Sequence, residues 1–129
     1  MEAKAVHTDA APKAQGPYSQ AVVYGGLVYC SGQIPLDPIT GKLVSGSIDV
    51  HTSRVLTNLA TVLKEAGSDM TLVLRTTVYL ADIDDFAAMN AAYQVHFATT
   101  KPARSTLQIA ALPLGARIEI DCVAAVRAT

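Results

Sequence analysis

The chain has 129 residues, the length of one domain, so residues 1–129 are read as a single unit with 1–17 as an N-terminal arm. Half of the residues are hydrophobic, 16% are charged and the net charge is -1, which excludes a disordered chain and a nucleic-acid surface built from clustered cations. No apolar run approaches the roughly 20 residues that span a bilayer, and Met1–His7 has neither a signal core nor a transit-peptide character, so no membrane partner and a cytosolic location are expected.

Residues 1–17 are polar and Ala-rich and carry Pro12 and Pro17, as an arm leading into the fold would. Two strands, Ala21–Tyr24 and Leu27–Cys30, flank Gly25-Gly26. That dipeptide predicts a tight hairpin, because a two-residue type I′ turn needs positive φ at both positions. From Ile34 to Gly46 the chain is a loop around the turn cluster Asp37–Gly41, with room for a short strand at Lys42–Val44. Ser47 to Ala66 reads as a helix capped by Ser45 or Ser47, with Val55, Leu59, Val62, Leu63 and Ala66 at helical spacing and Gly67 as its stop.

Thr71–Leu80 alternates as a strand, with Leu72, Leu74, Val78 and Leu80 on one side and Arg75, Thr77 and Tyr79 on the other. A second helix follows, capped by Asp82, with the stripe Phe86, Met89, Tyr93 and Phe97. Arg104–Ile109 and Arg117–Val126 complete the set as strands. The order β-β-α-β-α-β-β is an α+β domain: a mixed sheet with two helices on one face. The other face should then carry Arg75, Thr77, Arg104, Thr106, Gln108, Arg117, Glu119 and Asp121. Such a face is either wet, as in many antiparallel sheets, or a partner interface holding a polar site.

His7, His51 and His96 share no metal-ligand spacing, and Gly25-Gly26 precedes no helix that could bind phosphate, so no metal and no cofactor are expected. Cys30 and Cys122 read as two buried thiols. The pair that could carry chemistry is Arg104 and Glu119. A guanidinium offers a planar fork for a carboxylate, and a carboxylate beside it could position a water and move protons. On the residues alone the plainer reading is an ordinary cross-strand ion pair.

Gly16-Pro17-Tyr18-Ser19-Gln20-Ala21, Ser31-Gly32-Gln33-Ile34-Pro35, Asn90-Ala91-Ala92-Tyr93, Pro102-Ala103-Arg104-Ser105 and Ile118-Glu119-Ile120 together resemble the RidA (YjgF) family over almost the whole chain. The resemblance implies a fold similar to the trimeric chorismate mutases, a homotrimer with clefts between subunits, and no cofactor. It implies hydrolysis of reactive enamines and imines such as 2-aminoacrylate, 2-iminopropanoate and 2-iminobutanoate to 2-oxo acids and ammonia, a detoxification of reactive metabolites. By the same resemblance Arg104 binds the substrate carboxylate, while Glu119 and the backbone carbonyl of Thr106 position the water. Tyr18, Ser31 and Asn90 line the cleft, with the backbone of Gly32 close by. Thr106 stands where many members have Cys. The alternative is a non-catalytic module that binds small 2-oxo acids through the same Arg104 pocket.

Overall fold

A computed structural model describes residues 2–128. Six strands form one sheet: β1 (Lys4–Val6), β2 (Ala21–Tyr24), β3 (Leu27–Gln33), β4 (Val73–Leu80), β5 (Ala103–Gln108) and β6 (Ile118–Ala125). Their order across the sheet is β1-β2-β3-β6-β4-β5. Only β4 and β5 run parallel; the other neighbours are antiparallel, so the sheet is mixed. Two helices, α1 (Ile48–Glu65) and α2 (Phe86–His96), complete the α+β architecture.

Local chemistry explains the main elements. Gly25 and Gly26 turn the β2–β3 hairpin with φ of 60° and 80°, values that a side chain would resist. Ser47 is the N-cap residue of α1, although its hydroxyl bonds to Asp49 rather than to the helix backbone. Val55, Leu59, Val62 and Leu63 of α1 are buried against the sheet, as their spacing requires. Asp82 caps a single 3-10 turn at Ile83–Asp85, which feeds directly into α2. Between the hairpin and α1, Leu36 and Leu43 form one isolated bridge rather than a strand.

Within the N-terminal arm, Lys4–Val6 pairs with β2 as an edge strand too short to show alternation in sequence. Two expectations fail, each for an identifiable reason. In β4, a bulge between Val73 and Arg75 shifts the phase, so Val73 is buried and Leu74 is 51% exposed. The consequential correction concerns β5. Arg104, Thr106 and Gln108 pair with Thr76, Val78 and Leu80, three buried residues under the helices. Paired residues share a face, so these three lie on the helix side and not on the open face. Glu119 and Asp121 do lie on the open face, opposite Tyr79 and Thr77. Arg117 leaves that face as well, because its guanidinium holds both carboxylate oxygens of Asp85 at 3.1 and 3.2 Å at the start of α2.

Candidate functional clefts on opposite faces of the sheet

Arg104 is the second residue of β5, two after Pro102, on the side covered by α2. Its guanidinium carbon lies 4.8 Å from the centre of the Tyr93 ring and 5.7 Å from that of Phe86. Both distances suit attraction between a cation and an aromatic face. Tyr93 is itself fixed: it is buried, and its hydroxyl shares a 2.7 Å hydrogen bond with Thr76 in β4. Burial raises the Tyr93 phenol above its ordinary pKa, against the lowering effects of the Thr76 bond and the Arg104 charge. The guanidinium therefore rests on an aromatic shelf, and no acidic side chain pairs with it among the described residues.

A cleft of about 510 Å³ opens beside it, lined by Asn90, Tyr93, Phe97, Lys101, Pro102 and Arg104 among others. Phe86, Asn90 and Tyr93 stand four and three residues apart, so they share one face of α2. The Oδ1 atom of Asn90 and the Oγ1 atom of Thr106 are buried with no hydrogen-bond partner. Unsatisfied buried polar atoms are uncommon and costly. Here one lies on the strand that carries Arg104 and the other on α2, beside the same cleft.

Glu119 belongs to a different cleft. Its carboxylate lies on the open face against Gly32, where a bulge in β3 between Cys30 and Gln33 brings the backbone close. A Cβ on Gly32 would fall well inside contact distance of Glu119 Oε2. Burial pushes the Glu119 carboxyl above the usual carboxylate range, and the charge of Asp121 pushes the same way. The surrounding cleft, about 360 Å³, is lined by Tyr18, Gly32, Ile34, Leu36, Leu114 and Glu119, with Lys13 also on its wall.

Short bonds hold the arm that forms this wall. Gln20 accepts from Thr8 N at 2.7 Å and donates to the Pro12 carbonyl at 2.8 Å. Ser31 donates to the Ser19 carbonyl at 2.6 Å, so its hydroxyl tethers the Tyr18 turn and is not part of either cleft lining. Tyr18 Oη accepts from Gln15 N at 3.0 Å. Near the cleft, Leu114 adopts φ 58° and ψ 18°, the left-handed region, which costs a side chain about 1–2 kcal/mol.

The structure thus brings Tyr18, Gly32 and Glu119 together, and separately Arg104 and Asn90, with Thr106 two residues along β5. It does not bring Arg104 to Glu119. They sit on opposite faces, two strands apart and three residues out of step, or about 10 Å across and about 10 Å along the sheet. The cross-strand ion pair is therefore ruled out as well. Sequence reasoning missed Tyr93 as the support of Arg104, although its place three residues after Asn90 on the same stripe was a usable signal. It also missed Gln20 and Leu114, which carry no pattern. The histidines stay dispersed: His7 meets Asp9, His51 is buried in α1, and His96 ends α2. Cys30 and Cys122 face each other across β3 and β6 as buried free thiols.

Comparison with known proteins gives a consistent result. The family model described as Endoribonuclease L-PSP matches residues 8–126. The human 2-iminobutanoate/2-iminopropanoate deaminase is 49% identical over 121 residues, covering 94% of this chain and 88% of that protein. Reactive Intermediate Deaminase A, chloroplastic, of Arabidopsis thaliana is 48% identical over 124 residues, 96% of this chain and 66% of that protein. Among solved structures, yeast Mmf1 superposes with a TM-score of 0.95 at 39% identity, covering 98% of this chain and all of that one.

Proposed function

Since this chain belongs to the RidA family, whose family model carries the description Endoribonuclease L-PSP, we propose that it is a hydrolytic deaminase of 2-imino acids, and that two copies build each active site. The reaction adds water across the C=N bond of 2-iminopropanoate or 2-iminobutanoate and expels ammonia, leaving the 2-oxo acid. One observation carries the reading. Among the described residues, an arginine fork without an acidic partner and a desolvated carboxylate without a cationic one each face an open cleft, and they lie on opposite faces of one sheet. Each group lacks what the other supplies.

In this scheme Arg104 of one copy grips the substrate carboxylate in two parallel hydrogen bonds. Asn90, with its unpaired Oδ1, closes the same half. The Thr106 carbonyl lies on a strand that pairs with β4 alone, and it helps to hold the attacking water. The neighbouring copy contributes Tyr18, the Gly32 backbone and Glu119. Ser31 acts one step back, by fixing the Tyr18 turn. Glu119 takes a proton as water attacks the imine carbon and returns it to the departing nitrogen. A carboxyl raised by burial is a stronger base for the first transfer than an ordinary carboxylate. Orientation of a small anion against a fixed water supplies most of the rate. The chemistry asks for no cofactor.

The same reading makes the protein a homotrimer. The open face, with exposed Tyr29 and Leu107 among its polar residues, is the surface that another copy would cover. A reducing, cytosolic setting agrees with two cysteines left as thiols. Binding of a 2-oxo acid without turnover is the competing function, and Glu119 argues against it, because mere binding needs no desolvated carboxylate. The ribonuclease activity in the family description finds little support in a chain of net charge -1 whose Arg104 and Glu119 clefts are lined by three cations between them: Lys13, Lys101 and Arg104.

The test is ammonia release from imines generated in place by an amino-acid oxidase. The wild type should accelerate release, and Arg104→Ala and Glu119→Gln should each abolish it. Product binding without any acceleration would replace the enzyme by the binding module.

A further inference from the structure

Leu114 is the one residue other than glycine, among those described, with a positive φ. It is also 68% exposed. The turn that holds it is well defined: Gly115 N donates to the Leu112 carbonyl at 3.2 Å and Ala116 N to that of Pro113 at 3.1 Å. A left-handed backbone sets a leucine Cβ against its own carbonyl, a clash that glycine escapes and asparagine tolerates better. An exposed apolar side chain meanwhile gains nothing from burial. Exposed leucines are ordinary and strained ones occur, but a leucine that is both is unfavourable twice over unless something covers it. Its position says what does. Leu114 lines the Glu119 cleft together with Ile34, Leu36, Pro12 and Pro113, so its neighbours there are mostly apolar. At about 360 Å³ the cleft is much larger than a 2-imino acid with a methyl side chain needs.

We propose that Leu114 is a specificity-determining residue that packs against the side chain of the bound 2-imino acid and favours branched or longer apolar side chains over methyl. This rests on the deaminase reading above and assigns the part of the substrate that lies beyond the reacting carbon. The strained turn holds the leucine over the cleft, and contact with the substrate offsets its exposure.

Leu114→Gly and Leu114→Asn test this without threatening the fold, because both residues suit the backbone better than leucine does. Imines of leucine and of alanine are generated by an amino-acid oxidase, and kcat/KM is measured for each. The wild type should prefer the leucine-derived imine. Both variants should lose about tenfold on it, the scale set by a methylene-sized contact, and stay within about twofold on the alanine-derived one. Equal losses on both substrates, or none on either, would overturn the proposal. So would easier dissociation on dilution, read by sedimentation, without a change in selectivity, because Leu114 would then be covered by another copy.

Calorimetric binding of 4-methyl-2-oxopentanoate and of pyruvate keeps the two readings apart. If the wild type accelerates no imine hydrolysis, the deaminase reading fails. Selective weakening of 4-methyl-2-oxopentanoate in Leu114→Gly would still uphold the contact, and unselective or absent weakening would remove it.

Discussion

The two half-sites are built by opposite means. Around Arg104 everything rests on packed elements: the residue sits in a strand, its guanidinium lies over Tyr93, and Tyr93 is pinned to Thr76 in the next strand. Around Glu119 the carboxylate and its contact Gly32 also sit in strands, β6 and β3, but the rest of the wall is mostly arm and loop, held by the side chains of Gln20 and Ser31. In the proposed reaction Arg104 must aim a fork, and side-chain packing supplies the rigidity. Glu119 would there face a variable substrate, for which backbone approach and short tethers suffice. The side chains that support the first half-site should therefore also carry stability, whereas the second should lose function with little loss of stability.

The largest effect is expected in the packed half. Arg104→Lys keeps the charge but loses the planar fork and the ring contact, and should lower kcat/KM by about a hundredfold or more, the loss of a charge-assisted bond plus misalignment. Steady-state kinetics on a variant shown by melting to be folded decides it.

Gly32→Ala probes the other half and should fall next. Gly32 is not among the positive-φ glycines, so its backbone accepts alanine, but the new methyl must displace the Glu119 carboxylate. We expect kcat to drop about 10- to 100-fold, the penalty for a shift of about 1 Å, with little change in Tm. A large loss of Tm would show the two halves to be equally packed.

Tyr93 should behave in the reverse sense. Tyr93→Phe keeps the ring beneath Arg104 and leaves Thr76 unpaired, so stability falls by about 1–3 kcal/mol while KM stays within about twofold. Tyr93→Leu removes the shelf too, and KM should rise about tenfold. Denaturant melts beside KM separate the two.

The smallest effect is on pH dependence. The raised pKa of Glu119 means that the folded protein favours its protonated form. Its stabilising contribution is fully present below the unfolded pKa and is lost as pH rises through the folded value. Glu119→Gln should therefore melt slightly higher than wild type at neutral pH, with the gap closing in acid. In the wild type, kcat should fall on the acid side at a pH above the ordinary glutamate range, because a protonated Glu119 cannot accept a proton from water.

How far the sequence reached is clearest in the β strands. The hairpin at Gly25-Gly26 was legible because only such residues supply two positive φ angles in a row. The helices were legible from their stripes. The phase of β5 was not. Hydrophobic alternation puts Leu107 and Ile109 inward, yet Leu107 is exposed, and Arg104 lies inward because aromatic rings of α2 receive its cation. Pattern reading assumes that charge faces water, and a cation-binding shelf reverses that. The bulge that turned Leu74 outward leaves no local signal either. The resemblance to RidA proteins named Arg104, Glu119, Asn90, Tyr18 and Gly32, and each of them lines one of the two clefts. It could not reveal that they divide between two faces, because a list of residues carries no sheet register.

The central claim is that Arg104 and Glu119 act together only across two copies, and subunit mixing tests it most directly. Arg104→Ala and Glu119→Gln protein, each inactive alone, are combined in equal amounts under conditions in which subunit exchange is verified. If each cleft draws Arg104 from one copy and Glu119 from its neighbour, random exchange in a closed ring leaves about a quarter of the clefts with both groups intact. Ammonia release should therefore recover to about a quarter of the wild-type rate. Verified exchange with no recovery would mean that each site takes both groups from one chain, which would contradict the account.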